Sequence, residues 1–302
     1  MKYVIIGGVA GGATAAARLR RLDEHCEIVM FEKGEHISYA NCGLPYYIGD
    51  KITEKKALLL QTPVSFGNRY DVDVRVRSEV IAIHPEQKTV SVRNLLNNKE
   101  YEESYDKLVL SPGALPVVPP IPGIDSKRIF TLRNVLDTER IKQFVTATYS
   151  NLKEVVVVGA GFIGLEMVEN LHQIGYHVTI VEKAPQVMTV VDAPIAAMVH
   201  KQLRDKNINV LLQTEVTAFD TKEDCIQLTL SDGKQLDADF VILSIGVHPN
   251  TSLAADAGLK IGQAGGIWVN EYLQTSNPDI YALGDAIEFP HPLSGLPYCC
   301  YL

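Results

Sequence analysis

A thiol, two carboxylates and two groups of glycines carry the chemistry that this sequence can offer. Near the start, Gly7, Gly8 and Gly12 follow the run Lys2-Tyr3-Val4-Ile5-Ile6, and Glu32 lies 20 residues past Gly12. About 150 residues later, Gly159, Gly161 and Gly164 spell a complete G-x-G-x-x-G, and Glu182 lies 18 residues past Gly164. In the first group Val9 stands where the middle glycine would be. A glycine turn between a strand and a helix lets the backbone approach a pyrophosphate. The helix N-terminus adds unpaired N–H groups and the positive end of its dipole. An acid at the end of the next strand accepts hydrogen bonds from ribose hydroxyls. One such turn is a weak signal; two, each between strand and helix and each with its acid, are a specific one. Glu182 favours NADH over NADPH, because a 2′-phosphate would face a carboxylate, and the adjacent Lys183 tempers that preference. Two nucleotide sites in one chain fit an electron relay between a hydride donor and a resident flavin.

The thiol is Cys42, in Ser38-Tyr39-Ala40-Asn41-Cys42-Gly43-Leu44-Pro45-Tyr46, ten residues past Glu32. Asn41 and Gly43 suit a turn leading into a short helix. A cysteine at a helix N-terminus is more acidic and more nucleophilic. The competing reading is a buried structural cysteine. Cys26 and Cys225 stand at strand starts and read as packing residues, while Cys299 and Cys300 suggest no role. Position 47 is tyrosine, so no second cysteine follows Cys42 at a five-residue step. A disulfide cycle here must pair one protein thiol with one substrate thiol.

The elements that position these groups form an internal repeat. Lys2 to Lys33 and Lys153 to Lys183 each read as buried strand, glycine turn, helix, buried strand and acid. Uninterrupted β-branched runs point to strands covered on both faces, hence to parallel sheets. Between the copies, Val72–Val76, Glu79–Ile83, Thr89–Arg93 and Lys107–Leu110 read as strands, the last ending at Ser111-Pro112-Gly113. The proline-rich Pro116–Pro122 marks a domain boundary. Val210–Phe219 and Cys225–Leu230 read as hairpin-like, Phe240–Ile245 as a strand ending in Gly246, and Asp279–Leu283 as a short strand closed by Gly284-Asp285. The expected architecture is α/β with two Rossmann-like domains. The first is discontinuous, 1–117 and 243–302, and the second, 118–242, is inserted in it.

Composition narrows the function classes. The chain has 302 residues, 46% of them hydrophobic and 21% charged, which suits packed domains rather than disorder. The formal net charge of −8, with no basic block, argues against a nucleic-acid partner. No uncharged apolar run of about 18 residues and no cleavable leader is present, so a membrane span and secretion are not expected. Five cysteines, an odd number without C-x-x-C spacing, argue against a disulfide framework or structural metal and suit a reducing cytoplasm.

With these residues in view, the chain resembles the pyridine nucleotide-disulfide oxidoreductase superfamily over residues 1 to about 290. Within it, the resemblance is to the single-cysteine coenzyme A-disulfide reductase and NADH-dependent persulfide reductase group. It rests on Gly7–Gly12, Ser38–Tyr46, Ser111–Ala114, the second fingerprint with Glu166, Ile245–Asn250 and Tyr281–Ala286. It implies a glutathione-reductase-type fold and a redox role for Cys42. It implies FAD at Gly7, Gly8, Val9, Ala10, Gly12, Glu32, Lys33, Asn41, Val80, Ser111, Pro112, Gly113, Arg133 and Asp285. Glu32 would meet the adenosine ribose, and Asp285 the ribityl and phosphate portion. It implies NADH, or NADPH, at Gly159, Gly161, Phe162, Ile163, Gly164, Glu166, Glu182 and Gly246, with Glu166 near the nicotinamide. It places coenzyme A, as disulfide or persulfide, at Thr14, Arg18, Arg21, Ser38 and Asn41, where arginines suit its phosphates. Related NADH oxidases and peroxidases carry a histidine at the position of Ala10 and lack the Asn before Cys, so disulfide or persulfide reduction is favoured here. Oxygen or peroxide reduction, or a non-catalytic nucleotide-binding remnant, are the alternatives. The group also has a C-terminal interface domain that builds a homodimer; the sequence ends at Leu302, so that domain is expected to be absent.

Overall fold

The computed structural model describes residues 1–148, 154–291 and 293–299. Lys153 and Cys300, both named above, lie outside these residues. The chain divides into two compact units. One comprises Met1–Ala40, Leu59–Leu115 and Val247–Leu302, and the other Asn41–Leu58 with Pro116–Gly246.

The first unit is built on a five-stranded parallel sheet. Its spatial order is Ile280–Ala282, Lys107–Leu110, Lys2–Ile6, Glu27–Phe31, Asp73–Arg75. Val4, Ile5 and Ile6 are all buried, as a strand covered on both faces requires. From the central strand the chain turns into the helix Ala10–Leu22 and builds outward on one side; the strands of the other side come later. The strand order therefore reverses at Lys2–Ile6, which opens a crevice beyond its C-terminal end. The helix buries Gly12, Ala13, Ala16 and Ala17. Such small residues let it lie close to the sheet. An antiparallel sheet of Ser78–His84, Thr89–Asn94 and Glu100–Ser104 completes this part of the unit.

The second unit repeats the plan. Its parallel sheet runs Asn209–Leu211, His177–Val181, Glu154–Val158, Phe240–Leu243, Ile129–Phe130, and the order again reverses at the central strand. The helix Phe162–Gln173 buries Gly164, Met167, Val168 and Leu171. Phe240, fully buried, holds Phe144 and Tyr176 at ring-centroid distances of 5.4 Å each and Phe130 at 6.1 Å, all edge-on. Such tilted contacts suit the ring quadrupoles.

Two sequence expectations change. The hairpin-like Val210–Phe219 is two strands in two sheets. Asn209–Leu211 extends the parallel sheet, and Val216–Thr221 pairs antiparallel with Ile226–Leu230. The break is at Gln213, in left-handed backbone (φ 51°), whose N–H donates to Ala184 O at 3.1 Å. Residues 41–58, expected within 1–117, belong to the second unit, because the short helix Leu44–Ile48 packs on the helices Val135–Thr148 and Phe162–Gln173. The strand Glu100–Ser104 is not foreseen; its Glu-Tyr-Glu-Glu-Ser sequence carries one apolar residue. Among the described residues no helix is long and apolar enough to cross a membrane.

Phe240→Ala is expected to lower the unfolding free energy by about 3–5 kcal/mol. Leu96→Ala, at a residue 69% exposed, should change it by less than about 0.5 kcal/mol. Urea titration of the two variants checks the contrast.

Candidate functional site

The first turn closes because glycine has no side chain. Gly7 has φ +97°, and a Cβ there would lie 2.1 Å from Ser111 O. A Cβ on Gly12 would lie 1.8 Å from Gly7 O. The turn is thus pressed onto Ser111-Pro112-Gly113, and the Ser111 N–H donates to Ile6 O at 2.8 Å. Glu32 ends the neighbouring strand. Its Oε2 accepts from the Gly8 N–H at 2.8 Å and its Oε1 from the Gly34 N–H at 2.7 Å. Each oxygen keeps a further lone pair for a ligand hydroxyl. Ser38, in left-handed backbone at φ 45°, donates its N–H to Gly8 O at 2.9 Å.

The second turn reproduces this bond for bond. Gly159 has φ +100° and would place a Cβ 2.3 Å from Ser244 O; Gly164 would place one 2.2 Å from Gly159 O. Glu182 accepts from the Ala160 N–H at 2.7 Å and the Ala184 N–H at 2.8 Å. Met188, left-handed at φ 49°, donates its N–H to Ala160 O at 2.9 Å, as Ser38 does to Gly8. Ser244 and Met188 are the residues that sequence reasoning missed. The signal was present: Ser111-Pro112-Gly113 and Ser244-Ile245-Gly246 are the same Ser-x-Gly after an apolar strand. Gly11 is a further omission; a Cβ there would lie 2.4 Å from Leu283 Cδ1 and 2.5 Å from Ser111 Oγ.

The copies differ at their middle position. Val9 is half-buried, whereas Gly161 is exposed and a Cβ there would meet nothing within 4 Å. The Gly161 backbone is ordinary extended chain, φ −78° and ψ −169°. Neither conformation nor protein packing asks for glycine there.

The other expected residues fall as follows. Asp285 sits in the turn Gly284–Ala286, beyond the strand Ile280–Ala282, where Leu283 N–H donates to Leu110 O at 2.9 Å. It therefore follows a strand of the same sheet as the first turn. Lys33 is exposed and pairs with Glu79 at 2.6 Å, while Val80 is buried in the antiparallel sheet. Ala10 opens the first helix and is exposed. Phe162 and Ile163 open the second helix, and Phe162 is exposed. Gly246, at φ +117°, ends the loop after Phe240–Leu243. Arg133 and Asn41 belong to the second unit, and the remaining residues expected at the flavin belong to the first. The Arg133 N–H donates to Asp137 Oδ2 at 3.1 Å. Glu166 is half-buried, and its carboxyl is raised above the ordinary 4.5, first by burial and then by the Glu169 charge.

Thr14, Arg18 and Arg21 recur at helical spacing and share one exposed face of the first helix. Arg20, between them, is committed to structure: it donates to the carbonyls of Tyr70 at 2.9 Å, Glu24 at 2.6 Å and Asp71 at 2.7 Å. Cys42 is exposed, in the single turn Asn41–Gly43 that leads into Leu44–Ile48. Cys26 is buried and donates its thiol to Asp23 O at 3.1 Å, as a packing residue does. Cys225 is half-buried. Asn41 Oδ1 is a buried acceptor with no hydrogen-bond partner among the described residues. A ligand donor beside Cys42 would satisfy it.

Gly159→Ala forces an L-residue into left-handed backbone against a carbonyl and is expected to cost about 2–4 kcal/mol of stability. Gly161→Ala should change stability by less than about 0.5 kcal/mol. Denaturant titration of both proteins tests this; equal losses would contradict the open space at Gly161.

The pyridine nucleotide-disulphide oxidoreductase family matches residues 1–295. A coenzyme A disulfide reductase of Staphylococcus aureus (strain bovine RF122 / ET3-1) is 40% identical over 284 residues, 94% of this chain and 63% of that protein. The crystal structure of reduced Bacillus anthracis CoADR-RHD superposes with a TM-score of 0.96 at 48% identity, covering 100% of this chain and 54% of that one. A NAD-dependent persulfide reductase from A. fulgidus gives a TM-score of 0.94 at 36% identity, covering 99% and 55%. The chain thus spans between about half and two thirds of the length of these relatives. The family match across nearly the whole chain, on a structure that carries the nucleotide turn twice, means that this chain belongs to the pyridine nucleotide-disulphide oxidoreductase family.

Proposed function

We propose that this chain binds FAD on its first turn and NADH on its second, and that it reduces coenzyme A disulfide, or a persulfide of that thiol, through Cys42. The observation that carries the reading is Cys42 itself: an exposed thiol in an Asn-Cys-Gly turn, with no second cysteine at the five-residue step. The relatives support it. One of 40% identity is named a coenzyme A disulfide reductase, and a structure of 36% identity is a persulfide reductase.

The residues fit both cofactors. Each turn offers backbone at a helix start for a pyrophosphate, and each acid keeps lone pairs for ribose hydroxyls. FAD, when bound, supplies hydride acceptance from NADH and the two electrons that reopen a disulfide on Cys42. Gly161 leaves room for the dinucleotide backbone, and Glu182 disfavours a 2′-phosphate. Cys42, as thiolate, attacks one sulfur of the substrate disulfide. A sulfur–sulfur bond forms to Cys42, the substrate bond breaks, and one half leaves as a thiolate. Two-electron reduction of that mixed disulfide releases the other half and restores the Cys42 thiolate. One NADH and one proton thus turn one disulfide into two thiols. Arg18 and Arg21 would hold the phosphates of coenzyme A, since no ion pair among the described residues engages either.

Cys42→Ser should abolish NADH-dependent disulfide reduction while NADH still bleaches bound flavin; a full reductase rate in that variant refutes the assignment. Arg18→Ala/Arg21→Ala should raise KM for coenzyme A disulfide roughly tenfold, about 1.4 kcal/mol, while leaving KM for cystine unchanged. Gly161→Ala should weaken NADH binding without losing stability.

A further inference from the structure

We propose that Gly49 and Asn170 form a positioning contact that fixes the segment carrying Cys42, and so the direction in which its thiol is presented. The proposal rests on the redox reading of Cys42. It starts from a glycine that its own backbone does not require. Gly49 closes the short helix Leu44–Ile48 at φ −83° and ψ +14°, a conformation open to any residue. Space requires it instead: a Cβ there would lie 2.4 Å from Asn170 Oδ1 and 2.6 Å from Asn170 Cβ.

Asn170 is equally unexplained by its own helix. It is fully buried in the interior of Phe162–Gln173. Asparagine is a weak helix former, and an aliphatic residue would bury there without a polar cost. Its Nδ2 donates to Glu166 O at 2.8 Å, but its Oδ1 has no hydrogen-bond partner among the described residues. That oxygen is the atom nearest to where a Gly49 side chain would stand.

The same segment is held from other sides. Lys142, on the helix Val135–Thr148, donates to Ile48 O at 3.0 Å and pairs with Asp50 at 2.6 Å. Lys51 pairs with Glu169 at 2.5 Å, and Lys55 pairs with Glu139. A five-residue helix has no stability of its own. Its placement, and that of the turn Asn41–Gly43 preceding it, follows from these contacts. Asn170 lies one helical turn past Glu166, on the helix that begins at the second glycine turn. One helix thereby serves the nucleotide turn at its start and braces the thiol segment near its end.

The test measures the rate of iodoacetamide alkylation at Cys42 relative to Cys225, in the full chain, by peptide mass spectrometry. Cys225 is half-buried in the same unit and reports general loosening. Gly49→Ala should change the Cys42-to-Cys225 ratio at least fivefold. Adding Asn170→Gly, which removes all three Asn170 atoms in the way, should return the ratio to within twofold of the parent. A ratio unmoved by Gly49→Ala, or not restored by Asn170→Gly, overturns the proposal. Should Gly49→Ala alone fail to fold, the double variant decides: a folded protein with the parental ratio supports the contact, and one that still fails to fold overturns it. Lys142→Met, which releases Ile48 and Asp50, should also shift the ratio. The alkylation readout needs no turnover, so it fails independently of the Cys42→Ser experiment that tests the redox reading.

Discussion

In each unit a backbone carbonyl fills the space that a side chain of the glycine turn would need. Ser111 O faces Gly7 and Ser244 O faces Gly159, at distances that no Cβ tolerates. This exclusion lets the loop after one strand press against the turn after the central strand. The pressing brings the helix start to the crevice where the strand order reverses. Gly12 and Gly164 then sit over the carbonyls of Gly7 and Gly159, so the helix can begin without delay. Glu32 and Glu182 tie the arrangement to the neighbouring strand by accepting two backbone N–H groups each. The carboxylates are therefore structural members of the turn, their orientation set by the backbone.

Much of this was legible in the sequence because the causes are local. Gly7, Gly12, Gly159 and Gly164 are spaced by the turn itself, and the β-branched runs before them are long enough to name buried strands. Cys42 was legible through its neighbours: Asn41 and Gly43 suit a turn, and the thiol lies exposed in one. Where the reading failed, the cause was tertiary. Val210–Phe219 has the residues of one long hairpin arm, yet Gln213 turns left-handed and donates to Ala184, a partner 29 residues earlier in the chain. The place of residues 41–58 could not be read from composition, because Gly49 and Asn170 are 121 residues apart and neither is unusual alone. Ser244 could have been found, since the repeat that revealed Gly159 also predicts a counterpart for Ser111.

The charged residues divide by the same logic. Arg20 donates its guanidinium to four main-chain carbonyls, those of Asp23, Glu24, Tyr70 and Asp71, and holds the helix Ala10–Leu22 to the loop at Tyr70 and Asp71. Arg18 and Arg21 are exposed on another face and bear no such duty. A guanidinium kept clear of protein carboxylates retains its donors for phosphate, and its planar fork suits that geometry better than an ammonium. Three arginines within four positions thus separate into one that builds and two that can bind.

The difference between the two turns gives the repeat its direction. Val9 is half-buried, whereas Gly161 is bare and exposed. Ser111-Pro112-Gly113 and Asp285 both follow strands of the sheet that carries the first turn. Contacts gathered from several loops suit a cofactor that stays. An open, glycine-lined approach suits a dinucleotide that arrives, reacts and departs. Position 9 against position 161 is thus a local difference between otherwise matching turns, a half-buried valine on one and a bare, exposed glycine on the other.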